Sequence, residues 1–407
     1  MRRTAHWCRP LSAAPDLSSP GGDPPVSAPR VSAFAVCTPG LESVTRAELG
    51  RLGVRDPTIR RGGVSCSATW PQVWAMNLHL RTATRVLVRV ARFPADGFTS
   101  LQQGLRRVDW DRWLPPGASL AMSVSATGSR LHHLGAIEER ARDALPVGDG
   151  PPQELYVRVV HDGVTVSLNS SGDPLYRRGW RLATAKAPLR ETLAAALVLA
   201  SGWDGRAPVV DPFCGSGTLV IEAALISKRV PPGRNRAFAF EGWPAFERDR
   251  WERLLAAADA DVLPRTPILL GSDRDAGAIS AAEENAARAG VADVASFRHA
   301  SVSDFLVPTG TGWVITNPPY GLRLAHGDIR DLYDATRAVL RRRATGWHVS
   351  LVAAKGSPVE RIGLGPARPP ASTERILTTN GGLPVALLNG TVPAGDQKTA
   401  ITTARST

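Results

Sequence analysis

The chain has 407 residues, 43% of them hydrophobic, which is enough for two or three domains with sizeable cores; its apolar runs fall short of the roughly 20 residues of a membrane span. Its net charge is +12, and only Lys186, Lys228, Lys355 and Lys398 are lysines, so the positive charge is nearly all arginine. That suits a phosphate backbone, although a codon bias toward Arg and Ala would produce the same excess. Cys8, Cys37, Cys66 and Cys214 are scattered without a C-x-x-C pair, which points away from a zinc site or disulfide framework and toward a reduced, cytoplasmic setting.

Residues 1–30 contain Arg2 and Arg3 but no apolar stretch after them, so they do not read as a secretory signal. Their Pro, Ser and Gly content predicts a disordered tail. Residues 31–95 then alternate short elements. Strands are predicted at 32–38, 56–60, 63–66 and 85–93, and helices at 41–52 and 71–80, the second opened by Pro71. The order βαββαβ predicts a ferredoxin-like unit. Residues 96–170 predict a second α+β unit: helix 98–107, strand 119–125, helix 131–144, and a hairpin of strands 155–160 and 164–168 turned at His161-Asp162-Gly163.

Residues 171–190 form a basic connector in which Tyr176 and Trp180 lie among Arg177, Arg178, Arg181, Lys186 and Arg190. Cations interleaved with aromatics suit RNA; a solvated linker is the plainer reading. From residue 191 to 392 the pattern becomes α/β. An Ala/Leu-rich helix ends near Ser201, and strands are predicted to end at Asp211, Leu270, His299, Thr316 and Ala354. A hairpin follows around Asn380-Gly381-Gly382, and residues 393–407 read as a tail. The segment 228–266 reads as an irregular, Trp-bearing insertion. This alternation implies a mostly parallel, Rossmann-like sheet with an antiparallel pair at one edge, binding its ligand at the carboxyl ends of the strands.

The stretch from Asp211 to Ala224, D-P-F-C-G-S-G-T-L-V-I-E-A-A, is a strand–loop–helix joint. It lacks the G-K-[ST] of a Walker loop, and Val220 stands where a dinucleotide fingerprint needs its third glycine. Gly215 and Gly217 let the backbone approach a ligand, and the helix start aims amides at it. A nucleoside ligand without a pyrophosphate fits best, namely S-adenosylmethionine. Acids fall where that ligand needs them: Asp211 for an ammonium, Asp273 for ribose hydroxyls, Asp304 for the adenine amine. Each could instead be a helix cap. Phe213 and Thr218 complete the candidate cofactor residues in the loop, with Asn317 beyond it.

Asn317-Pro318-Pro319-Tyr320 follows the fourth predicted strand. Two prolines could simply stop the strand. The chemical reading is more specific. An exocyclic base amine is a poor nucleophile because its lone pair is delocalised into the ring. The Asn317 oxygen and the Pro318 carbonyl can each accept one amine hydrogen and turn the lone pair toward a methyl sulfonium. The prolines, Pro319 included, lock φ so that the carbonyl stays aimed, and Tyr320 can stack on the flipped base. Neither a strong base nor a metal is required; His132, His133, Glu138 and Glu139 have no metal-ligand spacing, and Cys214 has the character of a packing residue.

Together Asp211–Ala224, Gly271-Ser272-Asp273, Thr316–Leu324, Gly40-Leu41-Glu42 and Ser171–Arg181 resemble the THUMP-linked class I RNA methyltransferases of the guanine-N2 type. The resemblance covers roughly residues 31–392. It implies a seven-stranded methyltransferase domain preceded by an α+β ferredoxin-like and THUMP region that binds RNA, and transfer from S-adenosylmethionine to the N2 amine of a guanosine in tRNA or rRNA. It gives no oligomeric state. Adenine-N6 methylation of nucleic acid uses the same N-P-P-Y chemistry, and a non-catalytic RNA-binding protein with a vestigial domain is the alternative of another class.

Overall fold

A computed structural model describes residues 29–146, 148–182, 189–264, 267–320, 329–371 and 373–394. Nearly all of the expected tails, 1–30 and 393–407, lie outside the described residues, as do Lys186 of the connector and positions 321–324 of the Thr316–Leu324 motif.

The first half begins with β1 (Arg30–Cys37), α1 (Glu42–Arg51), β2 (Arg55–Arg60), β3 (Gly63–Thr69), α2 (Trp70–His79) and β4 (Ala83–Pro94). It continues with α3 (Phe98–Arg106), β5 (Ala118–Thr127), α4 (Leu134–Arg142), β6 (Gly150–Val160) and β7 (Gly163–Asn169). Local chemistry explains the boundaries. Thr69 and Gln72 form a reciprocal capping box at α2, with Pro71 in the first turn. His161 and Asp162 both have positive φ, the two-residue turn whose twist suits a tight hairpin between β6 and β7. His133, considered above beside a metal pattern, accepts a hydrogen bond from the Ala136 amide and caps α4.

The two α+β units share one sheet, in the order β2-β3-β1-β4-β7-β6-β5. The join is the antiparallel pairing of β4 with β7, from Leu87↔Asn169 to Pro94↔Gly163. One apolar cluster runs through both, from Val31 and Val64 to Leu155 and Leu168.

The second half contains α5 (Glu191–Ala200), β8 (Val209–Asp211), α6 (Thr218–Ser227), α7 (Arg248–Ala260), β9 (Leu269–Asp273), α8 (Ala276–Arg288), β10 (Ala295–His299), β11 (Trp313–Thr316), α9 (Ile329–Arg343), β12 (His348–Ala354), β13 (Arg375–Asn380) and β14 (Leu383–Thr391). Its sheet order is β10-β9-β8-β11-β12-β14-β13. β8 to β12 are parallel, and β14 is antiparallel to both β12 and β13. Alternate strand residues feed opposite faces: Val209 and Ile315 join the α5–α6 layer, Val210 and Val314 the α9 layer. The expected parallel sheet with an antiparallel edge pair is the one observed.

The insertion departs from expectation. It contains the 13-residue helix α7, and its aromatics belong to the core of the first half. Trp251, Leu254, Leu255 and Ala258 recur at helical spacing and pack there. Phe240 stacks on Trp74 at 6.2 Å, Trp243 meets Trp70 edge-on at 6.0 Å, and the Trp243 indole donates to Gln153 at 2.8 Å.

Two connector residues depart from the RNA-binding reading, while Arg177 and Arg190 stay exposed. Arg178 and Trp180 are buried. Arg178 donates to Glu222 of α6 (2.9 Å), to the Leu175 carbonyl (3.0 Å) and to the Arg81 carbonyl (2.7 Å). Arg81 in turn donates to the Leu225 and Val230 carbonyls, while its own amide is held by Glu48. Buried charges need partners, and here the partners belong to both halves of the chain.

Candidate active site

β8 runs between β9 and β11, so the loop leaving Asp211 emerges at the centre of the parallel sheet. Two backbone bonds close that loop: the Cys214 amide donates to the Ser272 carbonyl at 3.0 Å, and the Gly217 amide to the Cys214 carbonyl at 2.9 Å. Gly217 has φ +83° and precedes α6; a Cβ there would lie 2.9 Å from both Ala282 Cβ and Phe297 Cζ. Gly215 has φ +53°, and a Cβ there would meet nothing within 4 Å. The first glycine of the pair therefore faces open space, and the second is demanded by packing.

Two of the three candidate acids, Asp211 and Asp273, are hydrogen-bonded into the loop. Asp211 is 2% exposed. Its Oδ1 accepts from the Phe213 amide at 3.0 Å and from the Thr316 hydroxyl at 2.6 Å. Its Oδ2 is buried with no hydrogen-bond partner among the described residues. Asp273 Oδ2 accepts from the Gly215 amide and Oδ1 from the Asp275 amide, both at 3.0 Å. The cap of α8 is Asp275, which accepts from Gly277 and Ala278, so Asp273 is not the capping residue. Asp304 stands apart. It is exposed, and its carboxylate accepts from the Ser301 hydroxyl at 2.7 Å.

Burial pushes the Asp211 carboxyl up to about 7, against the lowering hydrogen bonds from Thr316 and Phe213; the Asp273 charge adds a smaller upward push. The sign for stability follows. The folded carboxyl keeps its proton to about 7, and an unfolded aspartate releases it near 3.8. Between those values the folded state binds the extra proton, so raising the pH through this window costs stability. Chemical denaturation below and above the window is expected to show that loss in the ligand-free protein and to show it reduced in Asp211→Asn. Equal pH dependence in the two proteins would contradict the assignment. Burial also holds the Cys214 thiol well above its usual value, with the Asp211 and Asp273 charges adding to it, which suits a packing role.

Thr316 ends β11 and joins the two motifs, because its hydroxyl bonds Asp211 and its neighbour is Asn317. The next residues turn back on one another. The Tyr320 hydroxyl donates to Asn317 Oδ1, and the Tyr333 hydroxyl of α9 donates to the Pro319 carbonyl at 3.3 Å. Pro318 is buried; Asn317, Pro319 and Tyr320 are half-buried. Sequence reasoning did not assign Thr316 or Tyr333. Thr316 was legible as the strand residue beside Asn317, whereas nothing local marks Tyr333.

The residues fit the expected cofactor in two respects. The orphaned Asp211 oxygen is suited to a cationic donor, and Gly215 leaves backbone open beside the Asp273 carboxylate. A cavity of about 590 Å³ lies elsewhere, along the connector between Tyr176, Arg181 and Arg236, and none of these loop residues lines it.

A sheet in this strand order, with acids at adjacent strand ends and a glycine loop between them, is the class I methyltransferase fold. Residues 178–369 match an RMKL-like methyltransferase domain, and residues 32–87 match an RlmL ferredoxin-like domain. The chain is 32% identical to a "Putative RNA methyltransferase" of Synechocystis sp., covering 87% of this chain and 95% of that protein. It is 34% identical to the ribosomal RNA large subunit methyltransferase K/L of Syntrophotalea carbinolica over 81% of its own length, and spans 50% of that relative. Among solved structures it resembles a "putative methyltransferase complexed with SAH", at 29% identity and TM-score 0.81, over 91% of this chain and 99% of that one. The chain belongs to the RMKL-like RNA methyltransferase family.

Proposed function

We propose that the protein methylates the exocyclic N2 amine of a guanosine in structured RNA, ribosomal or transfer RNA, in the cytoplasm. The observation that carries this reading is the placement of Asn317-Pro318-Pro319-Tyr320 at the end of β11, tied to the cofactor loop through Thr316 and Asp211. S-adenosylmethionine supplies an electrophilic methyl group on a sulfonium. Asp211 receives its ammonium with the orphaned Oδ2, and Asp273 takes the ribose hydroxyls. Asp304 accepts from the adenine amine.

The chain's own residues then prepare the nucleophile. Asn317 Oδ1 has two lone pairs, one of which the Tyr320 hydroxyl uses, so a second donor can be accepted beside it. The base amine donates one hydrogen bond to Asn317 Oδ1 and one to the Pro318 carbonyl, which turns its lone pair out of the ring, and the single proton the nitrogen loses on methylation passes to solvent. Tyr333 holds the neighbouring Pro319 carbonyl, so the turn does not reorganise when the base arrives. The ring of Tyr320 offers the stacking face. Support for an RNA target comes from the names of the relatives; support for an amine target comes from the acceptor pair.

The test incubates the protein with isotopically labelled S-adenosylmethionine and undermodified ribosomal RNA or total tRNA, followed by nucleoside analysis. Label in N2-methylguanosine is expected. Label in N6-methyladenosine, or in no RNA fraction, would overturn the proposal.

A further inference from the structure

The sheet of the first half has two unlike faces. Helices α1 to α4 pack on one, over Ala33, Val64, Val88 and Val166. Strand register defines the residues of the other. Ser67, Ser32, Arg89, Ser167, Tyr156 and Ser123 form one row across β3, β1, β4, β7, β6 and β5. The next row outward contains Arg92, Thr165 and Arg158.

A bulge makes this arrangement possible. The β4–β7 register shifts between Arg89 and Ala91, so Arg89 faces Ser167 while Arg92 faces Thr165. Ser167 and Thr165 are two residues apart on a regular strand and share a face. Arg89 and Arg92, three apart, share it only because of the extra residue. Arg158 pairs with Thr165 from the other side, so Arg92 and Arg158 flank it across two strand spacings, roughly 10 Å. Arg30, Arg55 and Arg60 stand on the same face, opposite Thr69, Ser67 and Gly63.

These six arginines have no carboxylate within ion-pair distance among the described residues. Among the described residues, Arg30 donates to Ser67 and Arg89 to Ser65. Arg89 also lies over the Phe34 ring, 5.1 Å from its centroid. Burial and then the charges of Arg92 and Arg158 hold its pKa below the usual arginine value. The acid that register places in this region, Glu154, is engaged by Arg85, Tyr156 and Asn169. Like charges gathered without counter-ions raise the energy of the free surface, and a polyanion relieves it.

We propose that this open sheet face, centred on Arg89, Arg92 and Arg158, is a docking surface for the phosphodiester backbone of the RNA substrate. The surface rests on RNA being the substrate, and it narrows the RNA contact expected of the ferredoxin-like and THUMP region to one sheet face. Ser32, Ser67, Ser123 and Thr165 keep the sheet shallow between the cations, so a strand can approach the backbone. Tyr156, half-buried in the Arg89 row, adds a ring against which a base can stack.

The test measures binding of a labelled stem-loop RNA with a single-stranded flank as a function of salt. It compares the full chain, the double variant Arg92→Gln/Arg158→Gln, and a control double variant, Arg248→Gln/Arg250→Gln, on α7. Each lost single-strand phosphate contact lowers the slope of log K against log salt by about 0.7, so the first variant is expected to lose about 1.4. The control is expected to keep the slope of the unmodified chain, and cofactor affinity is expected to be equal in all three. An unchanged slope in Arg92→Gln/Arg158→Gln, or an equal drop in the control, would overturn the surface. So would loss of binding to phosphatidylserine vesicles with RNA binding intact. Transfer to RNA that persists with an unchanged slope removes the surface and keeps the proposed reaction. A lost slope without label in N2-methylguanosine removes the reaction and keeps the surface.

Discussion

Replacing Asn317 with alanine is expected to lower the single-turnover rate of methyl transfer by about 10²–10³-fold, the usual effect of deleting one preorganised polar partner of the reacting group. The side-chain oxygen is placed by the end of β11, and the same strand end fixes Thr316 on Asp211, so the proposed acceptor is tied to the loop proposed to hold the cofactor. Alanine removes the acceptor but leaves Thr316, Asp211 and Gly215 unchanged. Cofactor affinity, measured by titration, should therefore stay close to that of the unmodified chain. Asn317→Asp keeps an oxygen in place and should retain more activity than alanine. Full turnover in the alanine variant, or a loss matched by the loss of cofactor affinity, would remove Asn317 from the chemistry.

Replacing Glu222 with glutamine is expected to destabilise the fold by about 3–5 kcal/mol, the usual cost of removing one partner from a buried ion pair. Side-chain exposure is 1% for Arg178 and 0% for Glu222, so water cannot take over the missing charge. Arg178 would remain buried with only carbonyl acceptors, and Arg81, whose guanidinium is 3.9 Å from Glu222, would lose its nearest carboxylate. Burial already lowers Arg81 to about 10 even with Glu222 raising it. The double variant Arg178→Met/Glu222→Met should recover part of the loss, since it removes the stranded Arg178 charge and leaves only Arg81 without its carboxylate. Denaturant titration of the single and double variants gives the coupling energy. A glutamine variant within about 1 kcal/mol of the unmodified chain would show that the pair is solvated in solution.

The parts read correctly from sequence are those with short-range signatures. The parallel sheet with its antiparallel edge pair followed from βα alternation, and the Asp211 loop and the Asn317 turn were marked by Gly and Pro at fixed offsets. What escaped was set by distant partners. Arg178 and Trp180 look like an RNA-binding stretch until Glu222 and the second core are seen to enclose them. The pairing of β4 with β7 joins two units that local pattern separates, because register between strands some seventy residues apart leaves no periodic trace. The arginines at 89 and 92 are out of phase for one strand face, and the bulge that brings them together is not written in composition. Helix α7 was legible in the spacing of Trp251, Leu254, Leu255 and Ala258, but irregular sequence on either side obscured it.

The aromatics carried by that insertion have a consequence for the order in which the chain can mature during synthesis. The first sheet is complete at Asn169, yet Phe238, Phe240, Trp243 and Trp251 of its core lie beyond the strand and loop that begin the second sheet. A ribosome that has delivered the first seven strands has not delivered the residues that cover Trp70 and Trp74. The N-terminal half therefore cannot finish as a unit before the catalytic half starts, contrary to the common vectorial order in which each domain closes behind the last. Until residue 258 emerges, the nascent chain presents an uncapped tryptophan face to its surroundings, and closing it commits both halves of the enzyme at once.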